Sequence, residues 1–307
     1  MVTHRSCPGY VDEPFASLVA DYPGAEAYPP GDFRVEWGPV FHRGRLDGSA
    51  RVLVIGQDPA THEAISRRVL VGEAGQRVQG LLARLGITHS YVMLNVYLYS
   101  VFGQAAGYRH VKDPDIVDYR HRWLDAVLLD SASPSVTPSV TPSVTPSVTP
   151  SVTPSVASSG VTAVIALGTL AKRAFGLWED SSPEREARSR RLHLAAVRHP
   201  TYAEGSARAS GQPLEDTTAA QLADWSAHLP ALGAAVSPEV TPNLRSYGES
   251  WTERDLVAIP EQDLPPGAPA WWRAVDAWAV RDGADAQEKR ATIRVAVPKG
   301  ARSWPTL

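Results

Sequence analysis

Four short apolar runs restrict what this chain can fold into: Arg51–Ile55 (RVLVI), Tyr91–Leu94 (YVML), Val161–Leu167 (VTAVIAL) and Leu192–Val197 (LHLAAV). Each has the length of a strand and is continuously apolar. A strand with one face in water alternates between apolar and polar; a strand covered on both faces does not. The segments between them have helical periodicity. Ala74, Val78, Leu81, Leu82 and Leu85 share one helical face, and Gly86 stands where a C-terminal cap belongs. Ile116, Tyr119, Trp123, Val127 and Leu128 share another, with Asp113 placed as N-cap and Pro114 as first helical residue. Strands alternating with helices predict an α/β fold. It is a three-layer sandwich with a central, mainly parallel four-stranded sheet joined by right-handed crossovers.

A tandem Ser-Val-Thr-Pro repeat, Ser135 to Pro154, interrupts the connection between the second helix and the third run. Proline at every fourth position removes backbone donors and forbids helix or central strand. The segment 134–156 is therefore expected to be a disordered or extended insert, at a connection where extra length costs little entropy. The main α/β domain is expected over 1–235 and a small C-terminal extension over 236–307. The extension is rich in Pro and Trp (Trp251, Trp271, Trp272, Trp278, Trp304). A short helix around Trp271–Arg281 and a strand around Thr292–Val297 are expected there. Its tryptophans could stack on exposed bases, but the preferred reading packs them against the main core.

With a formal net charge of -3 the chain is no basic coat for nucleic acid, so any such contact needs a local patch. Arg185, Arg188, Arg190, Arg191 and Arg198, set against Glu186, could contact phosphates. They could equally be a solvated face. The single cysteine, Cys7, rules out an internal disulfide and any multi-cysteine zinc or iron–sulfur site. No metal or cofactor is expected, and a reducing cytoplasm suits this cysteine usage. Met1–Tyr10 has no apolar core of a signal peptide, and no run of 18 apolar residues suggests a membrane span. A monomer is expected. No phosphate-binding Walker loop, His-Glu-x-x-His or Gly-x-Ser-x-Gly motif occurs.

In open parallel sheets ligands bind beyond the carboxyl ends of the strands. The four runs are followed there by Gly56-Gln57-Asp58-Pro59-Ala60, by Asn95, by Gly168-Thr169 and by Arg198-His199-Pro200-Thr201-Tyr202. An Asp, an Asn and a His thus converge on one sheet edge. Any one of them alone would be an ordinary turn residue. Together they suit cleavage of an N-glycosidic bond. A carboxylate stabilises an oxocarbenium-like sugar and orients water. A histidine and backbone N–H groups hold charge developing on a departing pyrimidine. An Asn side chain, both donor and acceptor, reads a pyrimidine's pairing edge.

These residues resemble the motifs of the uracil-DNA glycosylase superfamily, in matching order over about residues 33–232. Gly56-Gln57-Asp58-Pro59 is similar to the first motif, which normally continues with Tyr where this chain has Ala60. Val71-Gly72-Glu73-Ala74-Gly75-Gln76 is similar to the Phe-Val-Gly-x-Ala-Gly-Gln segment of the iron–sulfur branch, with Leu70 in place of its stacking Phe and without the cluster cysteines. Asn95 resembles the pyrimidine-reading Asn, and His199-Pro200-Thr201-Tyr202 the second catalytic motif.

The resemblance implies a DNA base glycosylase. Asp58 would activate water and stabilise the sugar cation, and His199 would stabilise the leaving anion. Gln57, Ala60, Leu70 and Asn95 would surround the base. Tyr202 would enter the space left by the flipped nucleotide, and Arg190, Arg191 and Arg198 would contact DNA. Flipping is needed because the glycosidic carbon is inaccessible inside the stack. Uracil or a 5-substituted pyrimidine is the expected base. One alternative is a catalytically weak or inactive DNA-binding protein that senses a flipped or modified base, motivated by Leu70. Another is a hydrolase or transferase acting on free nucleosides or nucleotides.

Overall fold

The computed structural model describes residues 10–129, 160–274, 277–285 and 288–301. The chain begins with helix α1 (Phe15–Ala20) and enters the sheet as β1 (His42–Gly44). It continues through β2 (Val52–Gly56), α2 (Thr61–Ser66), α3 (Glu73–Arg84) and β3 (Tyr91–Asn95). Then come α4 (Gln104–His110), α5 (Pro114–Leu128), β4 (Ala163–Leu167), α6 (Gly168–Glu179), α7 (Pro183–Ser189) and β5 (His193–Val197). Helices α8 (Tyr202–Ser210) and α9 (Leu214–Ala235) follow. The spatial order is β1-β3-β2-β4-β5; the last four strands are parallel and β1 lies antiparallel on the edge.

The continuous apolar runs behave as two-sided strands must, because successive side chains point to opposite faces. Leu53, Ile55, Val92, Leu94, Val164 and Ala166 face a core closed by α1, α5 and α6. Val52, Val54, Tyr91, Met93, Ala163 and Ile165 face a second core closed by α3 and α9. Burying one such Val, Leu or Ile contributes about 1.5–3 kcal/mol. The α/β sandwich expected from the sequence is therefore present, with five strands where four were anticipated. The additional strand, β1, reads His-Arg-Gly, which has no apolar pattern to reveal it. It is nonetheless buried, because Arg43 finds charged and polar partners inside.

Two local expectations need correction. Asp113 does occupy the N-cap position of α5, but its carboxylate bonds His110 Nδ1 and caps no backbone N–H. Over Trp271–Arg281 there is no single helix. A 3-10 turn, Ala270–Arg273, precedes β6 (Ala279–Arg281), which pairs antiparallel with β7 (Ile293–Val295); a short α10 (Glu288–Ala291) lies between the two. Trp272 and Trp278 stack with ring centroids 4.3 Å apart and planes at 5°. Six residues apart, they would point in different directions from a helix.

The segment after Val236 packs on the main fold. Trp251 meets Trp225 of α9 edge to face. Trp272 and Trp278 form a small core with Ile259, Leu264 and Val71. Asp263 pairs with Arg43 of β1 at 3.0 Å, both nearly inaccessible to solvent. The Ser-Val-Thr-Pro insert, Cys7 and Trp304 lie outside the described residues. No helix among the described residues is long and apolar enough to cross a membrane.

Candidate active site

Register brings the motif residues together. Gly56 at the end of β2 pairs with Asn95 at the end of β3, and Leu167 at the end of β4 pairs with Val197, two residues before His199. The contact between Gly56 and Asn95 is closer than any side chain would permit. A Cβ on residue 56 would lie 2.3 Å from Asn95 Oδ1 and 3.8 Å from Leu70 Cδ1. Glycine here lets Asn95 and Leu70 approach the first motif. Leu70 itself has φ 55, a left-handed conformation that costs a leucine on the order of 1 kcal/mol. Gly75 makes that turn possible, since a Cβ there would sit 1.7 Å from the Leu70 carbonyl oxygen.

Asp58 is half-buried, held by two donors: the Val101 backbone N–H at 2.9 Å on Oδ2 and Gln57 Nε2 at 3.0 Å on Oδ1. Burial raises its pKa to about 6, against the downward pull of those two hydrogen bonds. His199 is shifted the other way: burial lowers its pKa to about 4, leaving a neutral imidazole at neutral pH. Its Nδ1 accepts the Thr201 backbone N–H at 3.2 Å. A neutral ring that accepts at Nδ1 carries its proton on Nε2, so Nε2–H is the group available to a ligand carbonyl.

The loop carrying His199 is fixed from below. Gln221 of α9 donates to the carbonyls of His199 and Pro200, both at 2.9 Å. Trp225 donates to the Arg198 carbonyl at 2.8 Å, and the Arg198 N–H donates to Asp224 at 2.7 Å. Arg77 of α3 reaches the Pro200 carbonyl at 2.5 Å.

Glu63 is the residue that the motif reading missed. It is buried, and one carboxylate oxygen accepts the Ala60 N–H at 3.0 Å while the other accepts the Val71 N–H at 2.9 Å. A single side chain thus ties the Asp58 loop to the Leu70 segment, and its charge adds to the raising of the Asp58 pKa. Its position three residues into a helix that starts after Ala60 has the spacing of a reciprocal cap. That spacing was legible, although alanine cannot supply the other half.

Ala60 is exposed. Tyr97 is fully buried with its hydroxyl on the Gly107 carbonyl, and Phe102 lies under the Arg34 guanidinium at 4.1 Å. The C-terminal segment reaches the neighbouring residues instead: Thr61 donates to the Ala279 carbonyl at 2.8 Å, and the Ala279 N–H donates to His62 at 3.3 Å.

The arginine cluster divides. Arg185 pairs with Asp125, and Arg188 donates to the Leu128 and Val161 carbonyls, so both serve the fold. Arg190 and Arg191 are exposed, Arg190 with Glu186 as partner. Arg198 stacks on Tyr202 at 4.3 Å beside the His199 loop. Among the described residues no cluster of three His, Cys, Asp or Glu side chains could hold a metal ion.

The family model described as the uracil DNA glycosylase superfamily matches residues 43–223, more than half of the chain, from β1 into α9. No curated protein matches the chain. With the matched segment containing the carboxyl ends of all four parallel strands, the chain belongs to the uracil-DNA glycosylase superfamily.

Proposed function

We propose that this protein is a DNA base glycosylase that hydrolyses the N-glycosidic bond of a flipped pyrimidine, uracil or one substituted at the fifth carbon. The observation that supports it best is the pairing of charge states at one sheet edge: an Asp58 carboxylate ionised above about pH 6 and a His199 imidazole kept neutral down to about pH 4. Asp58 stabilises the developing sugar cation and orients the attacking water. His199 donates Nε2–H to a pyrimidine carbonyl as negative charge builds on the departing ring; removing one such donor typically costs about 100- to 1000-fold in rate. Asn95 reads the pairing edge, Gln57 and Leu70 flank it, and Tyr202 with Arg190, Arg191 and Arg198 faces the DNA.

Ala60 widens the substrate range. In the family pattern a tyrosine at this place excludes a methyl group on the fifth carbon by overlap; alanine lacks that ring, Ala60 is exposed, and Tyr97 and Phe102 are engaged elsewhere. The test compares wild type with Ala60→Tyr on duplexes carrying uracil or a 5-substituted pyrimidine, followed by alkali to cut abasic sites. Wild type is expected to cut both kinds, and the variant to lose chiefly the substituted base. Cleavage of uracil alone by both proteins overturns the wide pocket. Retention of the oligonucleotides without cleavage means a binding protein, and turnover of free nucleosides alone means a different hydrolase.

A further inference from the structure

On the α5–α6 side of the sheet, the face opposite Leu70, the core contains a cavity beneath the carboxyl ends of β2 and β3. Its walls are largely apolar, with Ile55, Leu98 and Phe175 among them, and Tyr28, Tyr119 and Asn95 also line it. One charged residue lines it: Arg120, in the middle of α5. Arg120 is only 6% exposed. Its Nη2 donates to the Val111 carbonyl at 3.1 Å, while Nε and Nη1 are buried and have no acceptor among the described residues.

Among the described residues the charge also has no ion-pair partner. Among the described residues no carboxylate acts on this guanidinium, and the groups nearest to doing so are the phenols of Tyr97 and Tyr28. Those phenols are uncharged, their pKa values raised by burial above the normal tyrosine value. An arginine does not escape this by losing its proton. Buried charges in proteins are paired, and one left alone costs several kcal/mol. With Arg120 lining the cavity, its two unmet N–H donors and its charge form a site that has no negatively charged group among the described lining residues. That combination selects an anion over a cation. A water molecule would satisfy the donors but leave the charge alone. The space admits about one or two water-sized atoms, which suits a halide better than sulfate, phosphate or an organic carboxylate.

We propose that this cavity is an internal anion site in which the Nε–H and Nη1–H of Arg120 hold a halide ion, chloride in the cell. The site lies behind the sheet edge that carries Asp58, has Asn95 in its lining, and does not rest on the glycosylase reading.

Two measurements on the full chain test it. Crystals grown in bromide are expected to show an anomalous scattering peak beside the Arg120 guanidinium, inside the cavity. In solution, replacing potassium glutamate by potassium chloride at constant ionic strength is expected to raise the thermal midpoint. Above the dissociation constant the rise should be about 2–4 °C per tenfold increase in chloride. Arg120→Met is expected to lose the chloride dependence while keeping the fold. If that variant does not fold, the bromide peak in the wild type decides alone. An empty or water-filled cavity at saturating bromide overturns the proposal, as does the same midpoint in both salts.

Discussion

At the scale of single residues, two opposed shifts define the site. Burial pushes Asp58 up to about 6 and His199 down to about 4. The forms that the proposed mechanism requires, carboxylate and neutral imidazole, therefore coexist only above about pH 6. kcat/KM for excision is expected to fall about tenfold per pH unit below that point, because protonating Asp58 removes the charge that stabilises the sugar cation. His199 does not titrate in that window, so the limb belongs to Asp58. Asp58→Asn is expected to be slow at every pH, with no acid limb. A wild-type profile flat from pH 5 to 8 would remove Asp58 from the mechanism. Glu63 offers a second probe. Glu63→Gln removes a negative charge that raises the Asp58 pKa and leaves one of the two backbone N–H groups, of Ala60 or Val71, without its acceptor. The acid limb is expected to move to lower pH while the plateau rate drops. A lowered plateau with the limb unmoved would make Glu63 only a structural tie.

At the scale of elements, helix α3 shapes the site by what its first turn lacks. Gly75 lets the helix pass so near the Leu70 carbonyl that a Cβ there would lie 1.7 Å from the oxygen, and the carbonyl is backbone, which cannot swing away. Gly75→Ala is expected to push the Leu70 segment off Gly56. Overpacking of this kind costs about 1–3 kcal/mol, and excision should fall with it. Gly176 of α6 is the control: a Cβ there meets nothing within 4 Å, so alanine should be neutral or stabilise by about 0.5–1 kcal/mol. Urea denaturation of both variants checks this. Equal stability of the two would show that Gly75 is not a packing constraint. The helical face and Gly86 cap of α3 were legible from periodicity, as were all four parallel strands. β1 was not, because a three-residue edge strand of His, Arg and Gly has no hydrophobic period.

At the scale of the whole molecule, the segment after α9 is joined to the sheet through charge. Arg43 of β1 donates to Asp263, to Gln79 of α3 and to the Val69 carbonyl, all inside the protein. Tyr91 of β3 also donates to Asp263. The network therefore links sheet, helix and C-terminal segment beside the turn that carries Leu70. Removing one partner of a buried pair leaves the other charge alone, at a cost of about 3–5 kcal/mol. Asp263→Ala is expected to lose about that much in urea denaturation, although it lies 205 residues from Asp58 in sequence. A loss below about 1 kcal/mol would show that the C-terminal segment is held by its tryptophans alone.

What the sequence determined by itself was local and periodic. Continuous apolar runs required covered strands, their alternation with amphipathic helices required a parallel sheet, and a parallel sheet put Asp58, Asn95 and His199 on one edge. Tertiary structure alone decided the rest. Whether an arginine is a phosphate contact or a strut depends on partners far along the chain: Arg185 meets Asp125, whereas Arg190 stays at the surface. The Asp58 and His199 pKa values depend on burial, which no motif encodes. The unpaired charge of Arg120 and the buried pair of Arg43 with Asp263 are likewise invisible in sequence. Periodicity reports which side of an element is apolar, but electrostatic pairing is set by distances between residues that only the folded chain brings together.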